Sequence, residues 1–271
     1  MMSKMLIKTI TSKDNKDFKI FKKVAENKVK NFCLLEGEHL ILAFAEKFGK
    51  KAFKYLICSE KIPEKFKKNF GNLVEIRHNL FCSLSNLTTP SEIMAIVEIP
   101  ENNSQQINLH CDSVILDEIQ DPGNLGTILR TAAAAGFSQI LLSANCAKVY
   151  TPKVLRAAQG ANFVLNIFEN LSDAELLNFL ENFVGNSLTT ALLDKFDKQN
   201  NLFLADFSAD KNLPLTWIFG SEGNGVRKFL QDKTQYKIFI PMSQKNQSVE
   251  SLNVATAAAI CLFESLRRRS F

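Results

Sequence analysis

Hydrophobic and polar positions alternate in two different rhythms along the chain. Phe18, Phe21, Val24 and Ala25 recur at helical spacing while Lys16, Lys19, Lys22, Lys23 and Lys28 fall elsewhere, so a helix capped by Ser12 is predicted over 13–28. A second helix is predicted over 37–48, with Gly49 suited to its C-terminal cap. Strand-like runs follow at 55–58, 73–77 and 94–99, with helical segments near 63–69 and 79–86. These elements predict a small α/β sandwich domain over residues 1–100.

The polar stretch PENNSQQINLH interrupts the pattern and predicts a linker over 101–112. From Ser113 onward apolar runs and helical periodicities alternate: strand 114–117, helix 123–135, strand 139–143, helix 152–159, strand 163–168, helix 172–183, strands 187–193, 216–219 and 236–240, and helix 251–268. This alternation predicts an α/β domain over 113–271, built on a mostly parallel sheet with helices on both faces.

Composition adds boundaries. A chain of 271 residues with 46% hydrophobic and 10% aromatic content can bury a real core, which excludes a disordered chain. Lys4, Lys8, Lys13, Asp14, Lys16 and Asp17 interrupt the first twenty positions, and no stretch approaches 18 apolar residues, so no secretory signal or membrane span is predicted. A cytoplasmic protein is expected. The six cysteines, at 33, 58, 82, 111, 146 and 261, form no C-x-x-C pair and have only His39, His78 and His110 beside them, which argues against zinc and disulfides. The net charge of +5 is unevenly spread: residues 1–105 carry 18 Lys and Arg against 12 Asp and Glu, and the remainder 15 against 16. The basic first part would attract a phosphate backbone without sequence preference, or is simply a solvated lysine surface.

Three segments carry candidate chemistry. In LDEIQDPGNLGTILRT (116–131), a strand end runs through a Pro-Gly turn into a helix, placing Asn124 past the carboxyl end of a strand, where open α/β sheets bind ligands. Arg130 falls opposite the apolar stripe of Leu125, Ile128, Leu129, Ala132 and Ala133, with Gly126 and Gly123 one and two turns before it. The glycines leave space for a phosphate or ribose, or else serve close helix packing beside a surface charge. In IFGSEGNGV (218–226), Gly220, Gly223 and Gly225 permit positive φ and close approach of a ligand to backbone, or make a plain tight turn. Glu222 at its crest could stiffen that turn, meet a ribose hydroxyl or hold a cation. In the third, Ile238–Met242 precedes Ser251, Leu252 and Asn253 and an alanine-rich helix, with Ser251 or Asn253 suited to the N-terminal turn. Neither G-x-G-x-x-G nor G-x-x-x-x-G-K-[ST] occurs, which disfavours a nicotinamide dehydrogenase and a P-loop hydrolase.

Taken together, D-P-G-N-L-G-x-I-x-R-T-A, G-S-E-G-x-G and I-P-M with S-L-N-V-A resemble the motifs of the SpoU (TrmH) family of RNA 2′-O-ribose methyltransferases, in the SPOUT superfamily. The likeness spans roughly 114–269. Residues 9–99 resemble the ribosomal protein L30e-like RNA substrate-binding domain often fused in front, through Ser12, Asn15, Lys19, Leu35-Glu36-Gly37 and Thr89-Pro90 before Ile93-Met94-Ala95. Lys28 and Lys30 stand where that domain commonly has an arginine, and Ser91-Glu92 replaces a usual Gln-Gly.

The resemblance implies a trefoil knot in the second domain, an exception to the rule against knotted chains. It implies S-adenosyl-L-methionine as cofactor, bound by Gly220, Glu222, Gly225, Ile240, Met242 and Leu252, with the segment 190–193 contributing. It implies catalytic roles for Asn124, Arg130, Ser251 and Asn253, and a homodimer in which Arg130 reaches the partner's site. The link 243–250 is longer than related enzymes often have. No metal is implied. The expected activity is ribose 2′-O-methylation of RNA, most readily 23S rRNA; a tRNA substrate and a non-catalytic RNA-binding or ribosome-assembly factor are the alternatives.

Overall fold

Asn15, not Ser12, starts the first helix of the computed structural model, α1 (Lys16–Ala25): its side-chain oxygen accepts from the N–H groups of Asp17 and Phe18 at 2.9 and 3.4 Å. Ser12 closes a local turn instead, accepting from Asp14 N–H at 3.1 Å. The structure describes residues 7–59, 62–67, 70, 72–100, 103–190, 200–207, 210, 212–243 and 251–270. The chain divides into one unit of residues 1–101 with 150–163, and another of 102–149 with 164–271.

The first unit holds a five-stranded mixed sheet, in the order β1 (Lys8–Ile10), β4 (Leu73–Ile76), β3 (Phe53–Ser59), β5 (Ile93–Glu98), β2 (Phe32–Glu36). β4 runs parallel to β1 and β3, and β5 antiparallel to β3 and β2. Phe18 and Phe21 of α1 and Phe81 and Leu84 of α4 (His78–Leu84) bury one face against Leu34, Ile57, Val74 and Ile96. The helix α2 (Glu38–Phe48) packs on β2 and β5, and ends at Gly49 with φ +80°.

The segment 150–163 joins this unit through α6 (Pro152–Ala158), which packs on β2. Gln159 and Gly160 take positive φ and turn the chain, and Phe163 then stands edge-on to Phe44 at 5.3 Å between ring centroids. The strand predicted over 163–168 therefore begins later, as β8 (Asn166–Leu171), because Phe163 belongs to an aromatic cluster and a helical turn.

The second unit is a six-stranded sheet, in the order β11 (Tyr236–Ile238), β9 (Asn186–Thr190), β10 (Leu215–Gly220), β6 (Ser113–Asp117), β7 (Gln139–Ser143), β8. Every neighbouring pair is parallel. Each residue of β6, β7 and β10 is buried, as befits parallel strands covered on both faces. Ile218 and Ile115 face a core completed by Leu176 and Phe179 of α8 (Asp173–Asn182) and Leu230 of α9 (Lys228–Lys233). Trp217 points the other way, and its indole N–H donates to Ser265 Oγ of α10 (Val254–Ser270) at 2.9 Å. On that side α10 packs on α5 (Pro122–Ala134). Helices thus cover both faces of a parallel sheet, as the alternation predicted. Segments 191–199 and 244–250, on which the expected cofactor loop and the end of the strand 187–193 fall, lie outside the described residues.

The carboxyl end of α10 anchors the second unit. The Glu264 side chain, 7% exposed, pairs with Arg267 and Arg268, and Arg268 lies 4.4 Å from the centre of the Phe207 ring and donates to the carbonyls of Leu202 and Ala205. Arg269 reaches Asp112 and the Leu213 carbonyl. Arg268 and Arg269 thus bind the protein's own backbone.

Candidate active site

β6 lies between β7, its successor in sequence, and β10, which follows much later, so the chain leaves β6 and β10 in opposite directions across the sheet. The space past their carboxyl ends is a topological switch point, where ligands of open parallel sheets bind. All three candidate segments converge there.

The first arm leaves Asp117 through Glu118, whose φ of +57° is sparsely populated for a non-glycine residue. Asp121 caps α5 by accepting from Asn124 N–H at 2.8 Å, and Pro122 occupies the first turn, where a missing N–H costs nothing. The cap holds Asn124 half-buried at the helix start.

The second arm is a closed turn. Gly225, at φ +66°, donates its N–H to Ser221 O at 2.9 Å, and a Cβ on Gly220 would lie 2.0 Å from the carbonyl carbon and oxygen of Gly225. The bare backbone of Gly220 is therefore covered by its own turn. A Cβ on Gly223 would meet nothing within 4 Å, so this glycine faces open space. The third arm enters α10 through Asn253, whose side-chain oxygen accepts from the N–H groups of Ala255 and Thr256 at 2.9 and 3.3 Å. Asn253 is thus the cap of that helix, which begins at Val254 and not at the predicted 251.

Hydrogen bonds join the arms in one order. Asn253 must turn its oxygen to the α10 amides, so its NH₂ faces Asn124, donating to Oδ1 at 3.1 Å. Asn124 is left with its own NH₂, which donates to the Glu222 carboxylate. Both ends of this chain fix the same orientation, since backbone N–H groups only donate and a carboxylate only accepts.

The remaining predicted residues sit around it differently. Ser251 is exposed and Leu252 half-buried just before Asn253. Ile240 and Met242 are half-buried beyond β11, where Phe239 is held by exchanging backbone bonds with Asn200 and Leu202 at 2.9 and 3.0 Å. Arg130 is exposed and makes no hydrogen bond or ion pair with a described residue. The structure therefore joins Asn124, Glu222 and Asn253 and leaves Arg130 facing solvent. A cavity of about 220 Å³ lies in the first unit, lined by Leu34, Glu36, His39, Leu87, Leu155 and Arg156, and contains none of these residues.

Sequence reasoning assigned no role to Asp117 and Arg227. Asp117, the last residue of β6, is fully buried and takes Arg227 N–H and Nε at 2.8 Å each. Burial works against the guanidinium's charge, but the bonds to Asp117 and Asp173 outweigh it and raise the Arg227 pKa. The available signal was a carboxylate closing an apolar strand, since a buried charge needs a partner.

In the first unit, Lys8, Lys19 and Lys28 are paired with Asp17, Asp14 and Glu26, and Lys22 donates to Ser83 O. Lys13, Lys16, Lys23 and Lys30 are exposed with no such partner among the described residues. Self-neutralisation thus leaves a narrower basic surface than the lysine count implies. Among the described residues, no group of His, Cys, Asp and Glu could hold a metal ion, and no helix is long and apolar enough to cross a membrane.

Comparison with known proteins supplies the family. The chain is 29% identical over 265 residues to the 23S rRNA (guanosine(2553)-2′-O)-methyltransferase RlmP of Bacillus subtilis (strain 168), covering 95% of this chain and 98% of that protein. It is 31% identical over 182 residues to a 23S rRNA (uridine(2479)-2′-O)-methyltransferase of Streptomyces viridochromogenes, covering 66% of this chain and 61% of that one. Its fold matches the crystal structure of an S-adenosylmethionine-bound rRNA methyltransferase from Sinorhizobium meliloti with a TM-score of 0.79 and 23% identity, over 97% of this chain and 98% of the other. The model of the SpoU rRNA methylase family matches residues 113–263, more than half of the sequence and all three arms of the site, and the chain belongs to that family.

Proposed function

We propose that the protein is an S-adenosylmethionine-dependent RNA methyltransferase that methylates a ribose 2′-hydroxyl of 23S rRNA. The observation that carries this reading is the Glu222–Asn124–Asn253 hydrogen-bond chain, which brings the three family motifs to one switch point of the sheet. The relatives named above, which act on 23S rRNA, support the choice of substrate.

The residues present fit the cofactor. Half-buried Ile240, Met242 and Leu252 offer apolar surface, and Gly223 leaves its backbone open. The N–H groups of Glu222 and Gly223 donate to no described residue and remain available to an acceptor. Gly220 and Gly225 act by closing the turn that carries these groups. When bound, S-adenosylmethionine supplies an electrophilic methyl group for in-line attack by the ribose oxygen.

The chain's own residues then have separable tasks. Asn124 and Asn253, locked in one amide orientation, position polar groups of the substrate, with Ser251 exposed beside them. Arg130 cannot act as a base because a guanidinium stays protonated. It binds phosphate and stabilises the forming alkoxide. Its exposure without a partner fits a homodimer in which each Arg130 serves the other protomer's site. The unpaired lysines of the first unit, an L30e-like substrate-binding domain in this reading, grip the RNA backbone. A cytoplasmic location agrees with this substrate and with the bacterial 23S rRNA methyltransferases the chain resembles.

Ribose-methylation mapping of rRNA and tRNA with and without the gene tests this directly. One 23S rRNA position should lose its methyl group; loss at a tRNA position would move the substrate, and no loss anywhere would refute the activity. Arg130→Ala should abolish methyl transfer while S-adenosylmethionine affinity, read by calorimetry, stays within about twofold. A large loss of affinity would remove Arg130 from its role.

A further inference from the structure

The turn 221–225 is anchored at both ends to one residue. Gly220, where it begins, is the register partner of Asp117 across the β10–β6 ladder. Arg227, just past its end, donates its backbone N–H to Asp117 Oδ2 and its Nε–H to Oδ1, each at 2.8 Å, and its Nη2 stands in ionic contact with the same Oδ1 at 2.8 Å. The same guanidinium reaches Asp173 at the start of α8 at 2.9 Å and lies 4.8 Å from the centre of the Phe229 ring. Asp117 is also the strand end from which the chain runs to Asn124. Both arms of the Glu222–Asn124 contact therefore start from a single buried carboxylate.

A fully buried charge is costly unless paired and hydrogen-bonded, and hydrophobic residues of similar volume often stabilise as well or better. Stability alone is thus a poor reason for this arrangement. Hydrogen bonds to both oxygens of one buried carboxylate, from the Arg227 backbone N–H and from Nε, fix direction as well as distance and leave the turn little freedom to tilt. We propose that Asp117 and Arg227 are positioning residues for the methyl transfer, holding the turn so that Glu222 meets Asn124 and the cofactor-binding backbone is preset. This inference rests on the functional reading above.

Full-length parent, Arg227→Met, Arg227→Lys, Glu222→Gln and the Arg227→Met/Glu222→Gln double variant would be compared below the unfolding temperature of each. S-adenosylmethionine binding is measured by calorimetry, and kcat and KM by transfer of labelled methyl to rRNA from cells lacking the gene. Arg227→Met should weaken cofactor binding or slow turnover by about tenfold to a hundredfold, as small misplacements do. Arg227→Lys, which keeps the charge and loses the planar group that spans Asp117 and Asp173, should fall between. In the Glu222→Gln background Arg227→Met should add little, because the pair acts through Glu222. Lower thermal stability with unchanged binding, kcat and KM, or effects that multiply independently of Glu222, would overturn the proposal. If Arg227→Met does not fold, Arg227→Lys decides: parent-like affinity and turnover overturn it, and a selective loss supports it. A parent that binds no S-adenosylmethionine overturns the functional reading and the positioning role together.

Discussion

Gly220→Ala should damage the protein by a backbone collision that no rotamer can relieve. The new methyl carbon would stand 2.0 Å from the carbonyl carbon and oxygen of Gly225 and 2.2 Å from Val226 N. Favourable carbon contacts begin near 3.5 Å, so strand end and turn would have to part by roughly 1.5 Å. That opening breaks the Gly225 N–H to Ser221 O bond and draws Glu222 from Asn124. Overpacking costs about 1–3 kcal/mol and a lost hydrogen bond about 1 kcal/mol more, for a total of roughly 2–4 kcal/mol. Two other glycines supply controls. A Cβ at Gly223 meets nothing within 4 Å, so Gly223→Ala should stay within about 0.5 kcal/mol of the parent. A Cβ at Gly185 would lie 2.1 Å from Pro214 O, at the opposite end of the sheet, so Gly185→Ala should destabilise without touching the site. Urea unfolding and calorimetry with S-adenosylmethionine separate the three: Gly220→Ala should lose both stability and affinity, Gly185→Ala stability alone, and Gly223→Ala no stability. A Gly220→Ala variant as stable as the parent, with unchanged affinity, would refute the steric argument.

Asn253→Ala removes the cap of α10 and the donor to Asn124, so it should cost about 1 kcal/mol of stability and reduce methyl transfer. Asn253→Asp should restore most of the cap in urea unfolding and little of the transfer, because a carboxylate cannot donate to Asn124; full rescue of both would refute the amide orientation. The Glu264 carboxyl is held below its ordinary value of 4.5, chiefly by the Arg267 hydrogen bond acting against burial, with Arg268 adding to it. Its stabilisation is present above that ordinary value and lost as pH falls through the lowered folded-state value. The stability gap between parent and Glu264→Gln, from urea midpoints between about pH 7 and pH 3, should therefore shrink on acidification below about 4.5; a constant gap would count against the ion pair.

The parallel domain was legible because its strands are continuous apolar runs and its turns carry glycine, proline and asparagine at fixed offsets. The three motifs were legible in order, although which of Ser251 and Asn253 caps α10 depended on where the helix enters. β1, with three residues, and α9, with six, are too short for periodicity to reveal, and β2 was passed over between two stronger helical signals. The Glu222–Asn124–Asn253 order and the Asp117–Arg227 pair join residues 98, 129 and 110 positions apart, and local pattern carries no information at that range. For the lysines in and around α1, composition gives the net charge of the first part but not which of them stand beside Asp14, Asp17 and Glu26.

The segment 150–163 bears on how this protein can be divided. The chain passes from the first unit to the second, returns for fourteen residues, and leaves again, so three covalent crossings link the units. A cut at the polar stretch near residue 112 would leave one fragment whose Phe44 and Phe48 lack the Phe163 ring, and another carrying Val154, Leu155 and Phe163 without the surfaces that bury them. Each half made alone should therefore expose an apolar patch and aggregate more readily than the intact chain. During synthesis, the first unit cannot complete its packing until residue 163 has emerged, by which time β6 and β7 of the second sheet are already available to pair.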